Sequence, residues 1–251
     1  MQTLSSSAPL FIGWDVGGWN CDKNPASRDA LVVLDEQRRI LGQPWRGNLR
    51  RPINQALDSA DFIARLLGLC DVEAEAAAPV VLAIDTPLGF SEAFVELLVQ
   101  GRAVDAIEGS ASNPYLFRQT ERFLFERGLS PLSAVKDMIG SQATKGMHVL
   151  ARFAPHIQQC GVWTDHKRLR AIEAYPSACK RSKTMDELHQ QYGLGKASDT
   201  ELLAGFQHVD QRDALTCALI AWLFHFTPEQ LVHPASEIPV REGWIFAPLD
   251  C

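Results

Sequence analysis

The chain has 251 residues, of which 46% are hydrophobic and 22% are charged, and its formal net charge is −6 at pH 7. These proportions are typical of folded globular proteins and exclude disordered, collagen-like and coiled-coil classes. The negative charge argues against a protein that coats nucleic acid non-specifically. Without a visible secretory leader, membrane span or paired cysteine spacing, we expect a single cytoplasmic domain over residues 1–251.

The first half of the chain predicts a sheet with a hairpin at one edge. Residues 10–16 form a short apolar run that two glycines close, which is typical of a buried strand ending in a turn. Residues 30–34 and 39–44 are β-like runs joined by polar residues, so they predict a hairpin. Residues 53–69 have helical spacing, and residues 79–85 form a continuous apolar run, as expected for a strand covered on both faces.

The second half predicts mainly helices. Helices are expected at residues 91–100, 113–128, 133–153 and 209–226, with two short ones around Asp186 and Thr200. Strands are expected at residues 169–175 and 243–247. This order predicts an α/β fold with a mixed sheet, in which an antiparallel hairpin edge adjoins parallel strands, flanked by helices and carrying a helical insertion at about 91–167.

Carboxylates at the ends of apolar strands are the main candidates for chemistry, because the sequence has no common phosphate-binding, zinc or nucleophile motif. Asp15 lies near the end of the first strand, Asp85 closes the fourth and Glu173 lies near the end of the fifth. An ionised carboxylate there is costly unless it is paired, protonated or bound to metal. If the three strands are parallel, these acids meet at one sheet edge. Turn or N-cap roles for Asp15 and Asp85 are the alternative.

The last helix adds two acids. One face of it carries the following acidic and small residues: Asp210, Asp213, Ala214, Cys217, Ala218 and Ala221. Such a face allows the helix to lie close to the sheet, with both acids directed toward it. The alternative is that Asp210 and Asp213 only favour the positive end of the helix dipole.

Converging carboxylates repel one another unless a divalent cation lies between them. Oxygen ligands suit Mg²⁺ or Mn²⁺, and two such ions can activate water and stabilise the leaving oxygen of a phosphodiester. The pattern therefore predicts Asp15, Asp85, Asp210 and Asp213 as metal ligands. The expected partner is a nucleic acid or another phosphate-bearing substrate.

Five motifs carry a resemblance to a known family. They are GWDVGG at 13–18, AIDTPLGF at 83–90, IEAYPS at 172–177, DQRDAL at 210–215 and EGWIF at 242–246. Their order resembles that in a family known as a domain of unknown function, regarded as predicted nucleases of RNase H-like fold. The helix motif also looks like the closing motif of Holliday-junction resolvases.

The resemblance implies an RNase H-like fold with Asp15 and Asp85 as strand acids and Asp210 with Asp213 as last-helix acids. Glu173 matches the family's fifth-strand glutamate. With the reasoning from the residues, this predicts Asp15, Asp85, Glu173 and Asp213 as catalytic residues. The expected reaction is metal-dependent phosphodiester hydrolysis.

Two arginines are candidates for substrate binding, and two other functions stay open. Arg118 and Arg122 lie one helical turn apart and suit phosphate recognition, although pairing with Glu121 and Glu126 is the alternative. The DVGG segment at 15–18 resembles the first phosphate loop of actin-like sugar kinases, which implies nucleotide-dependent phosphotransfer. A non-catalytic binding protein on the same fold is the third possibility.

Overall fold

A mixed sheet forms the centre of the fold in the computed structural model, which describes residues 8–194 and 206–251. The strands are β1 (Leu10–Asp15), β2 (Asp29–Leu34), β3 (Trp45–Gly47), β4 (Val80–Asp85), β5 (His156–Gln159), β6 (Val162–Thr164), β7 (Leu169–Ala174) and β8 (Ile245–Phe246). The helices are α1 (Arg50–Gln55), α2 (Ser59–Leu69), α3 (Glu92–Gln100), α4 (Gln119–Glu126), α5 (Gly140–Phe153), α6 (Lys183–Gln190) and α7 (Val209–Phe226).

The sheet combines parallel and antiparallel strands, as the sequence predicts. Its order is β3-β2-β1-β4-β7-β6-β5, and β8 pairs with the carboxyl end of β7. Strands β1, β4 and β7 are parallel to one another, whereas β2 and β3 on one side and β6 and β5 on the other pair antiparallel. The predicted α/β fold with a mixed sheet is therefore confirmed.

Helices cover both faces of the central strands. Phe11 of β1 packs in a core with α7, while Ile12 and Trp14 belong to a second core that includes α2 and α5. This alternation follows from the two-residue period of a strand. It explains why the central strands have continuous apolar runs in the sequence.

Helix α7 crosses the sheet at very close range. A Cβ atom at Gly13 of β1 would lie 1.9 Å from the carbonyl oxygen of Ala214 and 2.3 Å from the amide nitrogen of Ala218. Only glycine in the strand and small residues on the helix permit this approach. The predicted close packing of the small-residue face is confirmed.

The first half of the chain differs from prediction in two places. Residues 53–69 form two helices, because Asp58 caps the start of α2 by accepting a hydrogen bond from the Asp61 N–H. Residues 39–44 are not a strand: Ile40 forms a single bridge to Leu34, and Gly42 turns the chain with a φ of +60°. The outer strand of this edge is β3 instead.

The predicted insertion over 91–167 is not wholly helical. The Asn113 side chain accepts a hydrogen bond from the Tyr115 N–H in a turn, so α4 begins only at Gln119. Met138 has a φ of +55°, which ends the turns that follow Ser133 before α5 begins. Strands β5 and β6 then join the sheet, which the sequence did not predict.

The carboxyl-terminal part largely follows the prediction. Helix α6 contains Asp186, α7 covers residues 209–226 and β8 lies within the predicted last strand. The predicted short helix around Thr200 lies outside the described residues. In the part of the chain that the structure describes, no helix is both long and apolar enough to span a membrane.

Candidate functional site

Three of the predicted acids lie at one edge of the sheet. Asp15 and Asp85 are direct register partners at the carboxyl ends of β1 and β4. Glu173, near the end of β7, is the register partner of Ile84 on β4. The parallel strands therefore bring the carboxyl groups to the edge where open α/β sheets place their sites.

The side chains of Asp15, Asp85 and Asp213 interact electrostatically. Burial, then repulsion from Asp85 and Asp213, raises the pKa of Asp15 well above its ordinary value. Burial is the largest cause that raises the pKa of Asp85, and repulsion from Asp213 is the next. A hydrogen bond with Asp15 opposes the increase. Burial raises the pKa of Asp213 to about 6, with Lys180 opposing and Asp210 adding to the shift. These three carboxyl groups form the open-carboxylate group.

Among the described residues, no basic side chain neutralises the open-carboxylate group by direct contact. Within residues 8–194 and 206–251, neither Asp15, Asp85 nor Asp213 forms an ion pair with a lysine or an arginine. Carboxylates at such a site either retain protons or require a cation. Burial and mutual repulsion therefore favour the protonated form of these carboxyl groups unless a cation is present.

Asp210 has different surroundings from Asp213, although both lie in the first turns of α7. Its carboxylate forms an ion pair with Arg46 of β3 at 2.8 Å and accepts a hydrogen bond from the Arg28 N–H at 3.0 Å. His208 Nδ1 lies 2.9 Å from its second oxygen. These contacts fasten α7 to the hairpin edge. They occupy the carboxylate that the sequence predicts as a metal ligand, so we assign Asp210 a structural role.

Glu173 is also occupied, by Arg118. Arg118 Nη2 lies 2.6 Å from Glu173 Oε1 and 2.5 Å from Glu121 Oε1, while the Leu88 N–H donates to Glu173 Oε2 at 2.9 Å. Arg118 is 3% exposed and Glu173 is 2% exposed. Burial raises the pKa of Glu173, and Arg118 opposes that shift.

The surroundings of Arg118 and Arg122 therefore differ from those expected of substrate-binding residues. The Arg118 guanidinium is buried and bound by protein acids, as the alternative pairing with Glu121 implies, so it is not available to a phosphate. Arg122 is partly exposed and lines a separate cavity with Phe123, His233 and Trp244. Neither arginine lines the cavity that contains Asp15 and Asp85.

Glu242 completes the structure around Arg118. Its two oxygens accept hydrogen bonds from the Glu92 N–H at 2.9 Å and the Gln119 N–H at 2.8 Å, so one carboxylate joins the starts of α3 and α4. Its backbone oxygen accepts a hydrogen bond from Arg118. A Cβ atom at Gly89 would lie 2.5 Å from that same oxygen, which explains the glycine after β4. The role of Glu242 was missed from sequence.

A buried pair, Asp29 and Lys145, was also missed. Both side chains are fully buried, and their ion pair lies beneath the loop after β1. Asp29 accepts hydrogen bonds from Trp14 Nε1 and the Gly17 N–H, each at 3.0 Å. Lys145 also donates to the backbone oxygens of Gly17 and Gly18. A single lysine on the otherwise apolar face of α5 is the sequence signal that could have found this pair.

Other parts of the protein occupy the space around Gly17 and Gly18 in the loop after β1. A Cβ atom at Gly17 would lie 2.7 Å from the backbone of Arg28 and Asp29, and one at Gly18 would lie 2.9 Å from Ser141 Oγ. Since the Gly17 N–H already donates to Asp29, internal packing explains both glycines. No phosphate is needed to account for them.

A cavity of about 180 Å³ opens beside Asp15 and Asp85. Besides the acids, its walls include Thr86, Pro131, Leu132, Ile139, Gln142 and Tyr175. Thr86 follows Asp85 directly and is 4% exposed, and its hydroxyl oxygen has no hydrogen-bond partner among the described residues. The acids thus adjoin a space that a small ligand can enter.

The donors fit a hard divalent cation only in part. Within the described residues, no group of three or more His, Cys, Asp or Glu is spaced closely enough to enclose a metal ion. However, Mg²⁺ is commonly bound by one or two carboxylates, with waters and substrate phosphate oxygens completing its shell. Asp15 and Asp85 supply such a pair. They therefore fit an ion that is shared with substrate better than a fully enclosed metal.

Comparisons with known proteins found no match to this chain among family models, curated proteins or solved structures. The resemblance to predicted nucleases therefore rests on the sequence motifs alone.

Proposed function

We propose that the protein is a metal-dependent hydrolase of phosphate esters, of the phosphodiesterase or nuclease type. The observation that supports this proposal is the open-carboxylate group at the sheet edge, beside a cavity and without a lysine or arginine ion pair in the described chain. Asp15 and Asp85 would hold Mg²⁺ or Mn²⁺, and Asp213 would add a third negative charge.

The charges make a cation necessary for this chemistry. Three carboxylates repel a phosphate group unless a positive ion lies between them. When bound, the ion would polarise a phosphoryl oxygen and lower the pKa of an attacking water. The protein's own contribution is to fix the two carboxylates through the β1–β4 register.

Neighbouring residues support the position of these acids. Glu173 accepts a hydrogen bond from the Leu88 N–H and thereby holds the turn that follows Asp85, while Arg118 donates to the same Glu173 oxygen. Asp210 and Arg46 hold the first turn of α7, which carries Asp213. In this proposal Glu173 and Asp210 are positioning residues.

A hydrolysis assay tests the proposal. Purified protein is incubated with labelled polynucleotides and small phosphate esters in Mg²⁺, in Mn²⁺ or in chelator. We expect metal-dependent product that falls by about a hundredfold or more in Asp15→Asn and in Asp85→Asn, because each variant loses a ligand charge. Asp61→Asn, which removes a surface ion pair with Arg65, is the matched control and should retain activity.

Two outcomes of this assay would contradict the proposal. Equal amounts of product with metal and with chelator would show that the reaction does not require the metal. Absence of product on every substrate would favour a binding protein on this fold. The nucleotide-dependent phosphotransferase is not proposed, because internal packing accounts for the Gly17 and Gly18 loop.

We also propose that the protein is located in the cytoplasm. All six cysteines are free thiols, which is typical of proteins in a reducing environment.

A further inference from the structure

We infer that the cavity beside Asp85 binds a small phosphate ester, no larger than a mononucleotide, and that the Thr86 hydroxyl contributes to binding it. This inference rests on the proposed function and specifies its substrate class and one further binding residue. Duplex and single-stranded polynucleotides are then not the preferred substrates.

The unpartnered hydroxyl of Thr86 is the first observation. Thr86 is buried at the cavity wall, and its hydroxyl oxygen has no hydrogen-bond partner within residues 8–194 and 206–251. Its methyl group is fixed against α5, since a Cβ atom at Gly146 would lie only 2.6 Å from it. A buried polar group without a partner lowers stability, and binding sites are where such a cost is retained. A small movement of the cavity wall when a ligand enters would let a ligand oxygen supply the missing partner.

The size of the cavity is the second observation. Its volume of about 180 Å³ is below the range of about 300 to 1,000 Å³ typical of sites for drug-sized ligands. One phosphate with part of a sugar, a base or another small group can enter.

The chemistry of the walls is the third observation. Pro131, Leu132 and Ile139 provide an apolar side that suits an organic group, whereas Asp15 and Asp85 lie where the phosphate and its cation would bind. No residue in the described lining is a lysine or an arginine. Polynucleotide binding depends on several such cations along the phosphate backbone. The walls therefore favour one ester group over a polyanion.

A panel of substrates separates this inference from the proposed function. The substrates are methyl 4-nitrophenyl phosphate, bis(4-nitrophenyl) phosphate, a single-stranded oligonucleotide and a duplex, each with Mn²⁺ and with chelator. We expect kcat/KM for the small esters to exceed that for each cleaved oligonucleotide linkage by about tenfold or more. Preference for an oligonucleotide would overturn the inference and leave metal-dependent hydrolysis intact. No metal-dependent hydrolysis of any substrate would overturn both.

Two variants of Thr86 test its role directly. Thr86→Val retains the shape and removes the hydroxyl, and we expect the KM for the small ester to rise by about tenfold, while Thr86→Ser restores most of the loss. Thermal unfolding of the metal-free protein should show that Thr86→Val is as stable as the wild type or more so, because the hydroxyl has no partner there. Calorimetric titration with thymidine 5′-monophosphate and Mn²⁺ should show the same loss of affinity.

Thr227→Val is the matched control. Its hydroxyl is also buried without a hydrogen-bond partner, but Thr227 follows the far end of α7 and lines a different cavity. The control should leave both KM and nucleotide affinity unchanged. Equal values for Thr86→Val and wild type would overturn the role of Thr86, as would an equal loss in both valine variants.

Discussion

Two groups of acids lie close together at the carboxyl ends of β1, β4 and β7, and their surroundings are opposite. In the Arg118 group, which consists of Arg118, Glu121, Glu173 and Glu242, the buried carboxylates accept hydrogen bonds from a guanidinium or from backbone N–H groups. In the open-carboxylate group, Asp15, Asp85 and Asp213 form no ion pair with a lysine or arginine of the described chain. The same residue types thus serve two different purposes.

The comparison teaches that the partner, rather than the position at a strand end, separates a structural acid from a candidate functional one. A buried charge with good partners is tolerated, and removing one partner leaves the other uncompensated. Repulsion that no partner relieves lowers stability, and proteins commonly retain such a cost at functional sites. Each prediction below changes one side of this comparison.

The largest effect is expected for Arg118→Ala. The variant leaves Glu121 and Glu173 buried without their cation, so the free energy of unfolding should fall by about 3 to 5 kcal/mol. Urea denaturation measures the loss. Arg122→Ala, one turn along the same helix, is the control and should change stability by about 0.5 kcal/mol at most. A loss below about 1 kcal/mol for Arg118→Ala would show that this group is not structural.

Asp210→Asn should have the next largest effect. The change removes the charge that pairs with Arg46 and weakens acceptance from the Arg28 N–H, so we expect a loss of about 1 to 3 kcal/mol. Chemical denaturation in chelator is the measurement. Unchanged stability would show that these contacts are not structural and would restore Asp210 as a candidate ligand.

The buried His189 makes the free energy of unfolding depend on pH, with a sign opposite to that expected from the open-carboxylate group. Burial, with Arg212 adding and Asp186 opposing, lowers the pKa of His189 from 6.5 to about 4. The unfolded chain therefore binds more protons between these values, and stability falls as the pH drops through that window. Going from pH 7 to pH 5 should lower the stability of the wild type by about 2 kcal/mol relative to His189→Gln. Parallel pH profiles for the two proteins would refute this.

Asp213→Asn should have the smallest effect on stability and a different sign from Asp210→Asn. Because the pKa of Asp213 is raised from 3.8 to about 6, the folded state binds an extra proton between these values and loses stability as the pH rises through them. The variant lacks this loss. At pH 7 in chelator we expect stability that is equal to the wild type within about 0.5 kcal/mol or higher. A clear destabilisation would make Asp213 structural.

The sequence predicts the central fold well because its signals are local. The runs of β1 and β4 are apolar up to their final aspartates, since both faces of these strands are covered. Strand β5 was missed because all four of its residues are exposed and, at the edge of the sheet, it pairs with β6 alone among the described strands. That pairing has no signature within the strand itself.

The site could be predicted only in part for a similar reason. Strand ends and helix spacing identify Asp15, Asp85 and Asp213 as acids that the fold brings to one edge. The sequence does not reveal which acids have partners, because Arg118 is 55 residues from Glu173 and Arg46 is 164 residues from Asp210. Tertiary packing decides these pairs, and so it decides which carboxylates stay open.

Calorimetric titration of the metal-free protein with Mn²⁺ at pH 7 tests the central claim most directly. We predict saturable binding that releases protons, seen as a heat that depends on the buffer, because Asp15 and Asp85 have raised pKa values in the free protein. Binding should be lost in Asp15→Asn and in Asp85→Asn and retained in the control Asp61→Asn. Absence of saturable binding in the wild type, or unchanged affinity in both strand variants, would contradict the account.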